Sequence, residues 1–256
     1  MYTYISSRTN PVVQLLCSLQ KKKGRLEAGL YLCEGAKLCR EAVGRCSVKY
    51  AVLREDKKDS ELLSLCEKSG GEVIVLSESA FSKISTDTAS DGVAFAVKTE
   101  TGADKPEKSE KIIMLDCVRD PGNVGTAVRS AAAFGFDRVI LWDSADIYNP
   151  KTVRATMGAF FKMKFTVANS LEDTIEGLKK DGRRVIAASL GEGALTLGES
   201  PLVRSDCIVI GNEGHGVSEA TLQCCTDYIK IPMTDKTESL NAAMAATVLM
   251  WEMREL

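Results

Sequence analysis

The sequence lacks the features that define membrane, secreted and zinc-binding proteins. No apolar stretch reaches the roughly 18–20 residues that a membrane-spanning helix needs, and no apolar segment near the N-terminus indicates a signal peptide. None of the nine cysteines forms a Cys-x-x-Cys pair, and their odd number argues against a disulfide framework or a zinc site. We therefore expect reduced thiols, no metal ion, no membrane partner and a cytoplasmic location.

The sequence also has a single histidine and lacks the glycine pattern of dinucleotide-binding proteins after its first predicted strands. The one histidine, His215, lies in a Gly-rich loop, where a lone histidine is more often incidental than catalytic. A Gly-x-Gly-x-x-Gly sequence does not follow the first predicted strand of either half, which disfavours a nucleotide-dependent oxidoreductase. Hydrophobic residues make up 45% and charged residues 27%, a balance typical of globular proteins with a filled core.

The charge is almost balanced overall but unevenly distributed. The net charge is −2, yet residues 1–98 hold 15 basic and 12 acidic side chains, whereas the remainder holds 18 and 23. The first 25 residues contain five basic side chains and no acid. This pattern predicts a phosphate-binding patch that includes Arg8, Lys22 and Arg25, with an ordinary solvated surface as the alternative interpretation.

A polar stretch divides the chain into two segments. Residues 99–110, TETGADKPEKSE, contain Gly and Pro and no apolar periodicity, so they are the predicted linker. Residues 1–98 alternate helical and strand patterns and predict a small α/β domain, whose first helix follows the capping pair Asn10-Pro11. Residues 111–256 also alternate, which implies a mostly parallel sheet with its ligand site at the carboxyl ends of the strands.

Three polar turns in the second segment follow apolar strands. In the first, Asp120-Pro121-Gly122-Asn123 precedes an Ala-rich helix, so Asn123 is a candidate cap and Arg129 lies within that helix. Taken alone, Asn123 fits a plain cap and Arg129 a surface arginine. An arginine at this position could also hold a phosphate through two hydrogen bonds.

The second and third turns supply glycines, amides and a carboxylate. Gly211, Gly214 and Gly216 follow a strand that we expect to be buried, and they allow a ligand to approach the backbone. Glu213 either serves a ligand or only accepts hydrogen bonds from backbone amides of its loop. In the third turn Ser239 is a candidate helix cap, and Asn241 can donate to or accept from a ligand.

Together these turns resemble the signature motifs of the SpoU (TrmH-like) branch of the SPOUT methyltransferases. The matching elements are Asn123-x-Gly125-x-x-x-Arg129, Gly211-Asn212-Glu213-Gly214-x-Gly216, and Ile231-Pro232-Met233 with Ser239-Leu240-Asn241. The stretch from Asn149 to Ala159 also looks like the family. Residues 1–98 are similar, more loosely, to the family's ribosomal-protein-like RNA-binding domain, through Ser7-Arg8-x-Asn10-Pro11, the basic run and Leu32-x-Glu34-Gly35.

The resemblance implies a fold, a cofactor and a set of site residues. It implies a SPOUT domain with a trefoil knot at residues 111–256, S-adenosylmethionine as cofactor without a metal ion, and a homodimer. The implied cofactor-binding residues are Leu190, Gly211, Ile231, Met233 and Leu240. The implied catalytic residues are Arg129, Asn123, Glu213, Ser239 and Asn241, with Arg129 also on the RNA-binding side.

The implied function is methyl transfer to a ribose 2′-hydroxyl of RNA, with ribosomal RNA (23S ribosomal RNA) favoured. The N-terminal domain favours ribosomal RNA over transfer RNA, since the simpler transfer RNA members of the family lack such a domain. Transfer RNA methylation and a non-catalytic RNA-binding protein that retains the fold are the alternatives. The presence of Arg129, Glu213 and Asn241 argues against the non-catalytic alternative.

Overall fold

The structure is a computed structural model that describes residues 2–87, 89–100, 105–191, 193–199 and 201–256. The chain forms two compact units, Met1–Glu100 with Asp146–Phe161 and Thr101–Ala145 with Lys162–Leu256. The predicted linker at 99–110 falls near the first change of unit, although its residues 101–104 lie outside the described residues. No helix within the described ranges is long and apolar enough to span a membrane.

The first unit is built on a mixed five-stranded sheet. Its strands are β1 (Thr3–Ile5), β2 (Leu30–Glu34), β3 (Val48–Arg54), β4 (Glu72–Leu76) and β5 (Val93–Lys98), in the order β1-β4-β3-β5-β2. Strands β1, β4 and β3 pair in parallel, and β5 runs antiparallel to β3 and β2. The helices are α1 (Pro11–Ser18), α2 (Lys22–Ala28), α3 (Ala36–Ala42), α4 (Ser60–Lys68) and α5 (Glu78–Ile84).

Helix α1 forms as its sequence predicts. The side chain of Asn10 accepts a hydrogen bond from the amide of Val12 at 2.9 Å, and Pro11 occupies the first helical position, where its missing N–H costs nothing. Val13 and Leu16 of its apolar stripe are fully buried in the core of this unit. The predicted capping pair and apolar stripe are therefore confirmed.

The second unit contains a seven-stranded sheet in which every pair is parallel. The strands are β6 (Ile112–Asp116), β7 (Arg138–Trp142), β8 (Lys164–Val167), β9 (Val185–Ala188), β10 (Leu195–Thr196), β11 (Cys207–Ile210) and β12 (Asp227–Lys230), in the order β10-β12-β9-β11-β6-β7-β8. Within the described residues, the helices that accompany them are α6 (Pro121–Ala133), α8 (Leu171–Lys180), α9 (Glu219–Cys224) and α10 (Ala242–Glu252). The central strands are almost continuously apolar and buried, as expected of a parallel sheet covered on both faces, so the predicted parallel sheet is confirmed.

The segment between β7 and β8 belongs to the first unit rather than the second. It contains helix α7 (Pro150–Ala155), and its Tyr148 ring lies 4.8 Å from the ring of Tyr31. The guanidinium of Arg154 reaches the carboxylate of Glu34 at 3.2 Å. The sequence predicts that this segment belongs to the domain at residues 111–256. Its aromatic and ionic contacts are with residues 1–100, so it packs as part of the first unit.

Candidate functional site

A cavity of about 420 Å³ lies at the carboxyl ends of β9, β11 and β12 in the second unit. Its wall is formed by the three segments that follow these adjacent strands, at residues 188–191, 210–217 and 229–242. All five predicted cofactor-binding residues line it, namely Leu190, Gly211, Ile231, Met233 and Leu240. Glu213 and Ser239 line it as well. The topology therefore brings to one place residues that are up to 50 positions apart in sequence.

The loop after β11 is shaped by its glycines. A side chain at Gly211 would place its Cβ 2.0 Å from the amide nitrogen of Val217, so only glycine fits there. Gly216 has a φ of 69°, in the left-handed region that favours glycine. The backbones of Asn212 and Gly216 exchange two hydrogen bonds of 2.8 and 2.9 Å, which close the loop.

Two residues to which the sequence assigned no role hold this loop in place: Asn212, which the matching motif contains, and Asp116. The side chain of Asn212 donates to the carbonyl of Cys117 at 2.8 Å and accepts from the amide of Gly214 at 2.9 Å. The fully buried carboxylate of Asp116, at the end of β6, accepts from the amide of Ser218 at 2.8 Å. An acid that ends an apolar strand and an amide directly after Gly211 were the available sequence signals for these positions.

The carboxylate of Glu213 and two carboxamides form a hydrogen-bonded chain. Asn123 donates to Glu213 at 2.8 Å, and Asn241 donates to the side-chain oxygen of Asn123 at 3.0 Å. Loss of hydration would raise the pKa of Glu213, but hydrogen bonds from Asn123 and from backbone amides, including those of Arg119 and Asp120, outweigh it. The pKa of Glu213 is therefore lowered from its ordinary value, and the residue is an anion at neutral pH.

Two predicted helix caps are wrong. Asp120, not Asn123, caps α6, because its carboxylate accepts from the amide of Asn123 at 2.9 Å. Asn241, not Ser239, caps α10, and its side-chain oxygen accepts from the amides of Ala243 and Met244. A cap must directly precede the first helical residue. Because Asp120 is the cap, the side chain of Asn123 is available to Glu213, and Asn241 caps α10 through its oxygen while its NH2 group donates to Asn123.

Arg129 lies apart from this cavity. It is exposed on α6, does not line the cavity, and has no hydrogen bond or ion pair within the described part of the chain. The predicted RNA-binding residues Arg8 and Lys22 are also exposed, on the first unit.

The prediction that Arg25 binds RNA is wrong. Its side chain is buried, it forms an ion pair of 2.5 Å with Asp146, and it donates to the carbonyls of Leu19 and Gln20. A buried cation must be paired, and this one is occupied inside the first unit. Sequence could not separate Arg25 from its lysine neighbours, because its partner is 121 positions away.

The cavity fits a nucleoside cofactor of moderate size. Its volume falls within the range of about 300–1,000 Å³ typical of small-molecule sites. Leu190, Met233 and Leu240 provide apolar contacts, and the turns after the strands provide backbone N–H and C=O groups. No group of three or more His, Cys, Asp or Glu side chains among the described residues could hold a metal ion.

Family models match both segments of the chain. The model of the SpoU rRNA Methylase family matches residues 110–251. The model of the MRM3-like substrate binding domain matches residues 10–94. These two ranges contain the cavity, the Glu213 network and the exposed basic residue Lys22.

Relatives cover the chain to different extents. The 23S rRNA (guanosine(2553)-2′-O)-methyltransferase RlmP of Bacillus subtilis is 33% identical over 98% of both chains. The crystal structure of the AdoMet-bound rRNA methyltransferase from Sinorhizobium meliloti is 28% identical, with a TM-score of 0.88 over 99% of this chain and 98% of that one. A structure described for 2-OH methylation of C/U34 on tRNA is 29% identical, with a TM-score of 0.50 over 55% of this chain and 91% of that one.

Proposed function

Because the chain belongs to the SpoU rRNA methylase family, we propose that it transfers a methyl group from S-adenosylmethionine to a ribose 2′-hydroxyl of ribosomal RNA. One observation carries this proposal beyond family membership. The cavity at the ends of β9, β11 and β12 has Glu213 in its wall, and Glu213 is joined through Asn123 to Asn241. A small-molecule cavity beside a preorganised set of amides and a carboxylate suits a reaction that depends on positioning.

The cofactor would occupy the cavity without help from a metal ion. The backbones of Gly211, Ile231 and Leu240 would hold its adenosine part, with Leu190 and Met233 alongside. When bound, S-adenosylmethionine supplies a methyl group already activated by the positive sulfonium. The remaining work of the protein is to place and activate the hydroxyl group.

Arg129 would act on the RNA. Its guanidinium is exposed and not engaged by any other described side chain, so it is accessible to a phosphate or to an oxygen that develops negative charge. Arginine does not act as the base, because a guanidinium does not give up its proton in proteins. We therefore assign proton removal to a phosphate oxygen or water and assign anchoring to Arg129. Asn123, Glu213, Ser239 and Asn241 would organise the hydroxyl and the adjoining phosphate.

Ribosomal RNA is favoured over transfer RNA by the coverage of the relatives. The relative named for 23S rRNA matches nearly the whole chain, whereas the structure described for tRNA matches little more than half of it. The substrate-binding model matches a further part of this chain, residues 10–94, which lies outside the methylase match at residues 110–251. Action on ribosomal RNA also agrees with the expected cytoplasmic location.

A homodimer and a knotted second unit complete the proposal. Arg129 does not line the cavity of its own protomer, which supports a site shared between two copies, with Arg129 acting near the partner's cofactor. A trefoil knot in the second unit is supported by family membership. An experimental structure with cofactor would test both features.

Methyl transfer to defined RNAs tests the function directly. The purified protein is incubated with methyl-labelled S-adenosylmethionine and either a 23S ribosomal RNA transcript, assembled large ribosomal subunits, bulk transfer RNA or a DNA copy. We expect label in the ribosomal substrate only, at a linkage that resists alkaline cleavage, and none in DNA, which lacks the 2′-hydroxyl. Label on a base or in transfer RNA alone would overturn the assignment, and binding without transfer would favour the non-catalytic alternative.

A further inference from the structure

An exposed ion pair lies at the edge of the sheet that carries the site. Arg119 follows β6, Asp143 follows the neighbouring strand β7, and the guanidinium donates to both carboxylate oxygens, at 3.1 Å for the Nη1–Oδ1 contact. The side chains are 58% and 53% exposed. Because water screens such a pair, it contributes little to the stability of the fold.

The pair is not needed to join the ends of the two strands. The amide of Cys117 donates to the carbonyl of Trp142 at 2.9 Å, and the amide of Ala145 donates to the carbonyl of Val118 at 2.8 Å. The hydroxyl of Ser144 accepts from the amide of Val118 at 3.0 Å. These bonds already fix both turns, so the pair needs another explanation.

The backbone beneath the pair is strained. Cys117 has a φ of 56° and Asp143 a φ of 45°. Both residues therefore adopt the left-handed backbone conformation, which residues other than glycine rarely adopt. Such residues persist where the surrounding structure enforces them, and they cluster at sites that bind ligands. The strained turn presents the Asp143 carboxylate to Arg119 and so orients the guanidinium.

Arg119 is also tied to the site through its backbone. Its amide and that of Asp120 each donate to a carboxylate oxygen of Glu213 at 3.4 Å. Glu213 is the residue that lines the cavity and accepts from Asn123. The guanidinium of Arg119 is therefore carried by a residue whose own backbone bonds to Glu213, and it faces solvent.

We propose that Arg119 binds a backbone phosphate of the RNA close to the methylated nucleotide, with Asp143 acting as the positioning residue. The inference rests on the proposed function, since it takes the substrate to be RNA. A guanidinium carries five N–H donors, and Asp143 accepts from two of them. The other donors suit the planar, two-point recognition of phosphate that arginine provides and lysine does not.

The test compares RNA binding and cofactor binding in Arg119→Ala, Arg119→Lys and wild-type protein. The probe is the 23S ribosomal RNA transcript, with its Kd measured over a series of salt concentrations without cofactor. The matched control is Lys179→Ala, which removes a half-buried cation of the same unit that is paired with Glu176 on α8. S-adenosylmethionine affinity is measured separately by calorimetry.

We expect Arg119→Ala to weaken RNA binding about tenfold and to reduce the slope of log Kd against log salt by about 0.7–0.9, the loss of one phosphate contact. Arg119→Lys should recover the slope but only part of the affinity, and cofactor affinity should stay unchanged. An unaltered Kd and slope, or lost cofactor affinity with an unaltered slope, would overturn the inference. Methyl transfer by the wild-type protein tests the proposed function separately, and failure of the wild type to bind RNA would overturn both.

Discussion

At the scale of single residues, the site depends on how polar side chains share their hydrogen bonds. Asn123 accepts from Asn241 and donates to Glu213, so its amide has one stable orientation. Asn241 uses its oxygen to cap α10, which leaves only its NH2 group for Asn123. Each bond therefore fixes the next, and a carboxylate with a lowered pKa closes the chain.

Replacing Arg129 with alanine should remove turnover while leaving the cofactor in place. Arg129 does not line the cavity, so we expect unchanged affinity for S-adenosylmethionine and a fall in kcat of about 100-fold or more, as when a donor to developing charge is deleted. Single-turnover methyl transfer and calorimetry measure the two effects. Arg129→Lys keeps the positive charge but lacks the planar guanidinium, so it tests whether two-point hydrogen bonding by arginine is needed. Unchanged turnover in Arg129→Ala would refute the assigned role.

A buried ion pair between Glu110 and Arg138 makes the stability of the second unit depend on pH. Glu110 is 4% exposed and accepts from Arg138 at 2.7 Å. Burial alone would raise the pKa of Glu110, but hydrogen bonds from Arg138 and Lys164 lower it to about 2. A lowered pKa stabilises the folded state above the unfolded pKa of about 4.5, and this stabilisation disappears as the pH falls towards 2.

The variant Glu110→Gln should therefore lower the free energy of unfolding by about 3 kcal/mol at pH 7. The difference from wild type should shrink below about pH 4.5, because the wild-type carboxylate is then progressively protonated. Urea unfolding measures this difference in the free energy of unfolding, at pH 7 and at the lowest pH where the wild type stays folded. Glu176→Gln, in the more exposed pair with Lys179, is the control and should change little. A loss that is equal at both pH values would contradict the prediction.

At the scale of elements, α6 and α10 show how small residues position the site. The buried faces of α6 and α10 include Ala127, Ala131 and Ala246, and the two helices pack together with a hydrogen bond of 2.7 Å between Ser130 and Thr247. Small side chains let the two helices approach closely. The packing of α10 on α6 brings the starts of the two helices, with Asn123 and Asn241, together.

The exposed lysines at the start of helix α2, Lys21 and Lys22, should contribute phosphate contacts, whereas Arg25 should not. We expect Lys21→Glu with Lys22→Glu to weaken binding of the 23S ribosomal RNA transcript at least tenfold and to flatten its salt dependence, because phosphate contacts release counterions. Lys68→Glu, at the exposed end of α4, is the control for a charge change on another helix of the same unit. An unchanged salt slope in the double variant would rule out the patch.

At the scale of the whole molecule, sequence order and spatial grouping differ. Residues 146–161 lie between β7 and β8 of the second unit, yet they form part of the first unit through Tyr148, Arg154 and the Arg25–Asp146 pair. The family model at 110–251 includes this segment. The methyltransferase segment of the sequence therefore does not coincide with one compact unit.

An exposed apolar face on α10 predicts self-association. Met244 and Trp251 are seven positions apart, on one side of the helix, and are 62% and 52% exposed. We expect the protein to sediment as a dimer at micromolar concentration and Met244→Glu to shift it to monomers, because a charge would be buried at the interface. Val203→Glu, at another exposed apolar position of the second unit, should remain dimeric. A monomeric wild-type protein would contradict the proposed shared site.

The sequence by itself determined the elements and the chemistry of the turns. Apolar runs specified the parallel strands, Asn10-Pro11 specified the start of α1, and the glycines of residues 211–216 specified a loop that admits a ligand. These features are local, since each depends on neighbours within a few positions. They sufficed to predict an α/β fold with a parallel sheet, and the resemblance to the SpoU family named five of the residues that line the cavity.

Only the tertiary structure decided which polar groups face the site and which are consumed by the fold. Arg25 is neutralised by Asp146, Asn241 rather than Ser239 caps α10, and Asp116 and Asn212 support the loop from below. Each of these outcomes except the cap depends on a partner about 90 or more positions away. A side chain's donors and acceptors are satisfied by whatever lies nearest in space, and nearness in space is set by the order of strands in the sheets.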